Sequence, residues 1–171
     1  MPAVGSAAIQ LAKLVDCSVY ATASTDRKRE FTREIGADGA MHYSDISREF
    51  DDDLDLVLDG VGGKAFKRSL RSLGPGGRII TYGMASGDIP TVATPRLLFR
   101  NRSVIGYHLE HAFATLRDRV ESGLEAVVEA GERGDVEVFV DRTFPLADAT
   151  DAHRYVESRD SIGKVVLTVD G

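Results

Sequence analysis

The residues able to do chemistry in this chain sit where short apolar runs stop. Val19 to Ala23 runs into Ser24-Thr25-Asp26-Arg27-Lys28, Leu54 to Leu58 into Asp59-Gly60-Val61-Gly62-Gly63, and Arg78 to Tyr82 into Gly83. Glycine lets a flat ligand come close to the main chain, while hydroxyls and cations hold phosphate. Near the start, Gly5 opens an alanine-rich helical stretch, and the N–H groups and positive dipole of such a helix end attract a pyrophosphate. In open α/β sheets the ligand crevice lies outside the carboxyl ends of the strands. Taken together the set reads as a dinucleotide site, although each glycine turn taken singly reads equally well as an ordinary turn.

The second strand end also speaks to the cofactor. A domain that prefers NAD places an acid there, against the ribose hydroxyls. Here the run Ala23-Ser24-Thr25 carries no carboxylate before Asp26, and Arg27 and Lys28 follow. That favours NADP(H), with a solvated first helical turn as the alternative reading of Arg27 and Lys28. Other candidates are weaker. Asp59 is either a general base or a structural strand-end carboxylate, and Ser6 a helix-start residue or a phosphate contact. His108 and His111 lie three apart, but a metal needs three or four ligands and no third is placed by the sequence. The single Cys17 reads as a small buried or half-buried residue at a helix end. No Ser-His-Asp ordering and no phosphate loop ending in Lys-Ser/Thr occurs. No metal is expected, and no catalytic residue is assigned.

These groups need a scaffold of alternating strands and helices. Ala7, Ala8, Leu11, Ala12, Leu14 and Val15 have helical spacing, and Gly36 ends a second helix that includes Phe31 and Ile35. Strands are expected at 19–23, 40–43, 54–58, 78–82, 103–107, 136–140 and 163–169. Gly74-Pro75-Gly76-Gly77 reads as a tight turn. A long amphipathic helix is expected over 112–133, with Leu116, Val120, Leu124, Val127 and Val128 inward. The alternation predicts one α/β domain over 1–171, a doubly wound, mostly parallel sheet of the Rossmann-like kind. At 171 residues the chain suffices for one well-cored domain. A net charge of −6 argues against nucleic-acid or anionic-membrane partners, and no apolar run is long enough to span a bilayer. A cytoplasmic location is the expectation.

GSAAIQLAK, ATASTDRK, EIGAD, LDLVLDGVGG, SLGPGGRIITYG and GKVVLTV resemble, in this order, the cofactor half of medium-chain dehydrogenase/reductases, in particular the zinc-free quinone oxidoreductase branch. The resemblance covers essentially the whole chain. It implies an NADP(H)-binding domain serving hydride transfer to a quinone or enone, with a non-catalytic nucleotide-binding module or an inactive truncated scaffold as the alternative. Val4 and Gly5 then fall beside the pyrophosphate, and Ser24, Lys28 and Tyr43 at the 2′-phosphate and adenine side. Gly60, Val61 and Gly62 border the adenosine. Tyr82, Gly83 and Met84 fall near the nicotinamide, as do Gly106, Tyr107 and His108, and Lys164 reaches the cofactor from the closing strand. Tyr107 is the one hydroxyl nominated as a proton source. The resemblance further implies a homodimer through the strand at 103–107. It also implies an N-terminal barrel-like domain and a central first strand, neither of which these residues contain; Met1 and Pro2 stand where that strand would end. Loss of that strand would leave two neighbours with open edges.

Overall fold

The computed structural model describes residues 3–169; Met1 and Pro2 lie outside them. The chain is α/β, and every strand ladder in it is parallel. With the central first strand absent from the described residues, the expected mostly parallel α/β arrangement is present as three ladders among those residues, and the strands at Tyr20–Thr22 and Leu54–Asp59 keep the expected open edges. The ladders are held in two compact units, residues 3–41 with 123–169 and residues 42–122.

The first unit opens with α1 (Ala3–Lys13), which starts two residues before Gly5. Its buried Ile9 packs with Ala21 of β1 (Tyr20–Thr22) and with Ala37. Small residues at 21 and 37 let helix and strand come close. Helix α2 (Asp26–Glu34) begins at Thr25, whose hydroxyl accepts the Lys28 backbone N–H. It ends at Ile35, followed by Gly36 at φ +108°, the expected helix stop. β2 (Gly39–Met41) then pairs with β1. Later in the chain, β6 (Val140–Pro145) pairs with β7 (Lys164–Thr168), joined by α8 (Ala149–Glu157). The strand expected at 136–140 is therefore displaced to 140–145. Its position is set by partners rather than by apolar alternation: the Arg142 guanidinium lies 4.3 Å from the centroid of the Tyr155 ring, and the Tyr155 hydroxyl donates to Asp141 at 2.6 Å.

The second unit starts with α3 (Ile46–Glu49). Its sheet has the order β3 (Leu54–Asp59), β4 (Leu73–Thr81), β5 (Ser103–Gly106). The order advances in one direction, so crossovers of one hand place their helices on one face. Accordingly α4 (Gly63–Ser72) and α5 (Pro95–Leu98) cover that face. Phe66 and Leu70 meet Leu73 and Ile79 there, with Val57, Leu97 and Val104 packed around them. Burying Phe66 alone is worth about 1.5–3 kcal/mol. The opposite row, Leu58–Ile80–Ile105, runs across all three strands in register. It is largely bare, with Leu58 47 % and Ile105 43 % exposed. β3 pairs only with β4, and β1 only with β2, among the described residues.

Two further expectations are corrected. Gly74 to Gly77 are no separate loop between elements: β4 follows α4 directly, and these four residues bulge out of its ladder between the pairs Leu73–Leu54 and Arg78–Leu56. The glycines permit this, since a β-carbon on Gly77 would lie 2.6 Å from the Leu54 carbonyl oxygen. The long helix is two helices, α6 (Leu109–Thr115) and α7 (Arg117–Glu132), broken where Leu116 leaves helical geometry at φ −133°. Leu116, Leu124, Val127 and Val128 are exposed rather than inward. Cys17 is also exposed; it follows the last turn of α1, where the chain reverses through Asp16 at φ +56°.

Candidate functional site

In the second unit the C-terminal strand ends are level. Asp59 pairs with Thr81, and Thr81 with Gly106. The residues that follow continue the pairing past the sheet. Tyr82 N–H donates to the Asp59 carbonyl at 3.0 Å, Ala85 to Gly60 at 3.1 Å, Ser86 to Val61 at 3.0 Å, and Tyr107 to Thr81 at 2.9 Å. The expected residues Gly60, Val61, Gly62, Tyr82, Gly83, Met84, Gly106 and Tyr107 are thereby brought to one rim.

Asp59 shapes this rim from beneath. Its buried carboxylate accepts the N–H groups of Val61 at 3.3 Å and Gly62 at 3.1 Å. Of the two readings of Asp59, the geometry fits the structural one. Burial pushes its pKa up, against the lowering effect of those two N–H groups. The Tyr82 phenol is also pushed up, by burial first and then by the charges of Asp59 and Tyr43. It stays protonated at neutral pH and can donate a hydrogen bond. Gly62 and Gly63 both have positive φ, +76° and +54°. The turn they form carries the Gly63 N–H to the Asp88 carbonyl at 2.9 Å. Asp88 and Ser86, which the sequence did not single out, thus hold the loop after β4 against the start of α4.

The first unit holds the remaining candidates. Val4 and Gly5 lie in the first turn of α1, Val4 exposed and Gly5 half-buried. Ser24 is exposed between β1 and α2, and Lys164 is the exposed first residue of β7. Lys28 differs from all of these. It is only 7 % exposed, and its ammonium donates to the Arg159 carbonyl. No carboxylate among the described residues forms an ion pair with it, whereas Arg27, one residue earlier, is exposed and faces Asp141 at 3.8 Å. Burying a cation without an opposite charge is costly, so the Lys28 corner is suited to an anion. Tyr43, in the second unit, is half-buried.

His108 caps α6 by accepting the His111 backbone N–H at 3.3 Å, so the two rings are not arranged as a ligand pair. No three His, Cys, Asp or Glu side chains converge among the described residues, and these residues form no zinc site of their own. No described helix is long and apolar enough to cross a membrane.

A family model described as zinc-binding dehydrogenase matches residues 35–167. The chain is similar to 2-haloacrylate reductase of a Burkholderia species, 28 % identical over 96 % of this chain and 52 % of the relative. It is similar also to a quinone oxidoreductase-like protein 2 homolog of Nematostella vectensis, 31 % identical over 96 % of this chain and 47 % of the relative. Among solved structures, a mycobacterial protein complexed with NADPH superposes with a TM-score of 0.85 at 30 % identity, covering 97 % of this chain and 53 % of that one. The chain spans about half the length of the curated relatives it matches.

Proposed function

The chain belongs to the zinc-binding dehydrogenase family, and we propose that it is the NADP(H)-binding portion of an oxidoreductase that delivers hydride to a quinone or an enone. The observation that carries the reading is Lys28, a buried ammonium with no carboxylate partner among the described residues. A 2′-phosphate is the anion that distinguishes NADPH from NADH, and a charge-assisted hydrogen bond from a lysine suits it. Ser24 adds a hydroxyl at the same strand end, with Tyr43 on the adenine side. Val4 and Gly5 take the pyrophosphate. Gly60, Val61 and Gly62 border the adenosine. Tyr82, Gly83, Met84, Gly106, Tyr107 and Lys164 complete the set of cofactor contacts.

Bound NADPH supplies the hydride at its nicotinamide C4. The residues of this chain bind and orient it. An enone takes hydride at its β-carbon and a proton at its α-carbon, while a quinone takes hydride and proton to give the hydroquinone. Water or the Tyr107 hydroxyl supplies that proton. Two relatives support the acceptor class, one named for 2-haloacrylate and one for quinone. A homodimer through β5 is part of the proposal, because β5 lies at the end of its sheet's strand order.

The test is thermal melting with NADPH and with NADH, on the wild-type chain and on Lys28→Met. NADPH raises the wild-type melting temperature well beyond NADH, and Lys28→Met loses that excess, equivalent to about tenfold or more in Kd, or ~1.4 kcal/mol. Equal shifts with both cofactors, or none with either, overturn the reading. Stabilisation by NADPH without consumption of NADPH in the presence of a quinone favours a non-catalytic module.

A further inference from the structure

We infer that the backbone carbonyl of Arg159 is a positioning group that aims the Lys28 ammonium, making the turn after α8 a determinant of cofactor specificity. The inference rests on the reading that Lys28 takes the ribose phosphate. A lysine has three N–H donors at the end of a flexible four-carbon stem and lacks the rigid fork of arginine. An ammonium of this kind recognises one anion geometry only if something else fixes its direction. Here one donor is committed to the Arg159 carbonyl, and the stem is buried. The backbone end is fixed too, because the Lys28 N–H is bound by the Thr25 hydroxyl at the N-cap.

The carbonyl is held in place by an uncommon conformation. Arg159 stands at φ +62°, in the left-handed region that non-glycine residues occupy at a cost. It lies just beyond Ser158, the C-cap of α8, and its N–H donates to the Val156 carbonyl at 3.1 Å. The next residue is tied in as well, the Asp160 N–H donating to the Ser158 hydroxyl at 3.3 Å. The Arg159 side chain is exposed, and only its carbonyl meets Lys28. A substitution that keeps the left-handed conformation should therefore be silent, whatever its side chain. A β-branched residue, which disfavours that conformation, should turn the carbonyl away.

The experiment compares wild type, Arg159→Gly, Arg159→Asn and Arg159→Val. Two quantities are read: the rate at which an amine-acylating reagent modifies Lys28, followed by mass spectrometry, and the ratio of the Kd values for NADH and NADPH. Glycine and asparagine variants keep both wild-type values. Arg159→Val speeds Lys28 acylation several-fold and cuts the NADPH preference about tenfold. An unchanged acylation rate in Arg159→Val overturns the inference, as does a loss of preference in Arg159→Gly, which would assign the role to the side chain. Should the valine variant fail to fold, the wild-type chain decides. Lys28 must be acylated at least tenfold more slowly than the exposed Lys67, and equal rates overturn the inference. If Arg159→Val exposes Lys28 but wild type never discriminates between the cofactors, the phosphate reading has failed while the positioning by Arg159 stands.

Discussion

The ring of Tyr82 lies against the α-carbon of Gly60: a β-carbon on Gly60 would meet Cε2 and Cζ of that ring at 2.9 Å and the phenol oxygen at 3.0 Å. Tyr82 is partly exposed and can swing outward. Gly60→Ala should therefore cost little stability, under about 1 kcal/mol, while changing tyrosine fluorescence and weakening any ligand that uses this rim. Gly163 offers the contrast. Its added β-carbon would lie 2.3 Å from the Phe139 carbonyl oxygen, at φ +93°. Gly163→Ala should cost more than Gly60→Ala, about 2 kcal/mol or more, because backbone and not a side chain must move. Urea unfolding of the two variants checks the order.

Asp59 makes stability depend on pH in an unusual direction. Burial raises its folded-state pKa above the unfolded value. The folded chain then binds the proton more readily than the unfolded one. Its contribution is greatest at low pH and is lost as pH rises from the ordinary aspartate range through the raised folded value. Asp59→Asn keeps an oxygen for the Val61 and Gly62 N–H groups without the buried charge. At neutral pH this variant should melt no lower than wild type, and its melting temperature should fall less than that of wild type as pH rises through that window. Asp59→Ala, which leaves those N–H groups unbound, should melt lower at every pH. Melting curves from pH 3 to 8 separate the three.

At the opposite end of the second sheet, Asp52 is clasped by two arginines. Arg100 reaches one carboxylate oxygen at 2.7 Å, and Arg102 binds the other and also the Leu73 carbonyl. The Arg102 side chain is only 8 % exposed, and its Nε is buried without a partner among the described residues. Asp52 keeps Arg100 when Arg102 is removed, but the Leu73 carbonyl loses its charged donor, at about 1–3 kcal/mol. Arg102→Ala should approach that figure in denaturant unfolding. Arg100→Ala, at a half-exposed site, should cost about 1 kcal/mol or less.

The bare row Leu58–Ile80–Ile105, together with Leu56 at 51 % exposure on the same face, is an apolar surface on a sheet whose β3 edge has no strand partner among the described residues. Such a combination favours self-association. Leu58→Lys should lower light scattering at equal concentration while leaving the unfolding free energy within about 1 kcal/mol of wild type. Unchanged scattering would mean that this face is not where copies meet.

Much of this architecture could be read from local signals. The alternation of elements, Gly36 past the end of α2 and the glycines after β3 are all set by neighbouring residues. The misplaced elements are those decided elsewhere in the chain. Val136 to Val140 alternates like a strand, yet the ladder forms on Val140–Pro145, where Asp141 and Arg142 meet Tyr155. The helix over 112–133 has unbroken apolar spacing, but Thr115 turns its hydroxyl back to the His111 carbonyl at 2.8 Å just before Leu116 leaves the helix. At the candidate site, Ser24 to Lys28 is uniformly polar in sequence. What sets Lys28 apart is a carbonyl 131 residues away, and no local pattern announces such a partner.

The direct passage from α4 into β4 sets where this chain can change length. Leu73 is fully buried and pairs with Leu54, and the next pair of that ladder is Leu56 with Arg78. Five steps along β4 therefore match two along β3, so Gly74 to Gly77 hold slack. Pro75 and Gly76 are exposed, and Gly76 has open space around its α-carbon. One residue added there would lengthen the exposed tip of this bulge, at the cost of the Gly76 N–H bond to the Arg100 carbonyl, and leave the ladder in place. The same residue added between Ser72 and Leu73 would pull Leu73 from the core or wind α4 by 100° past Phe66 and Leu70. Two sites four residues apart thus differ completely in what they tolerate, and a loop or tag inserted into this unit belongs at Gly76.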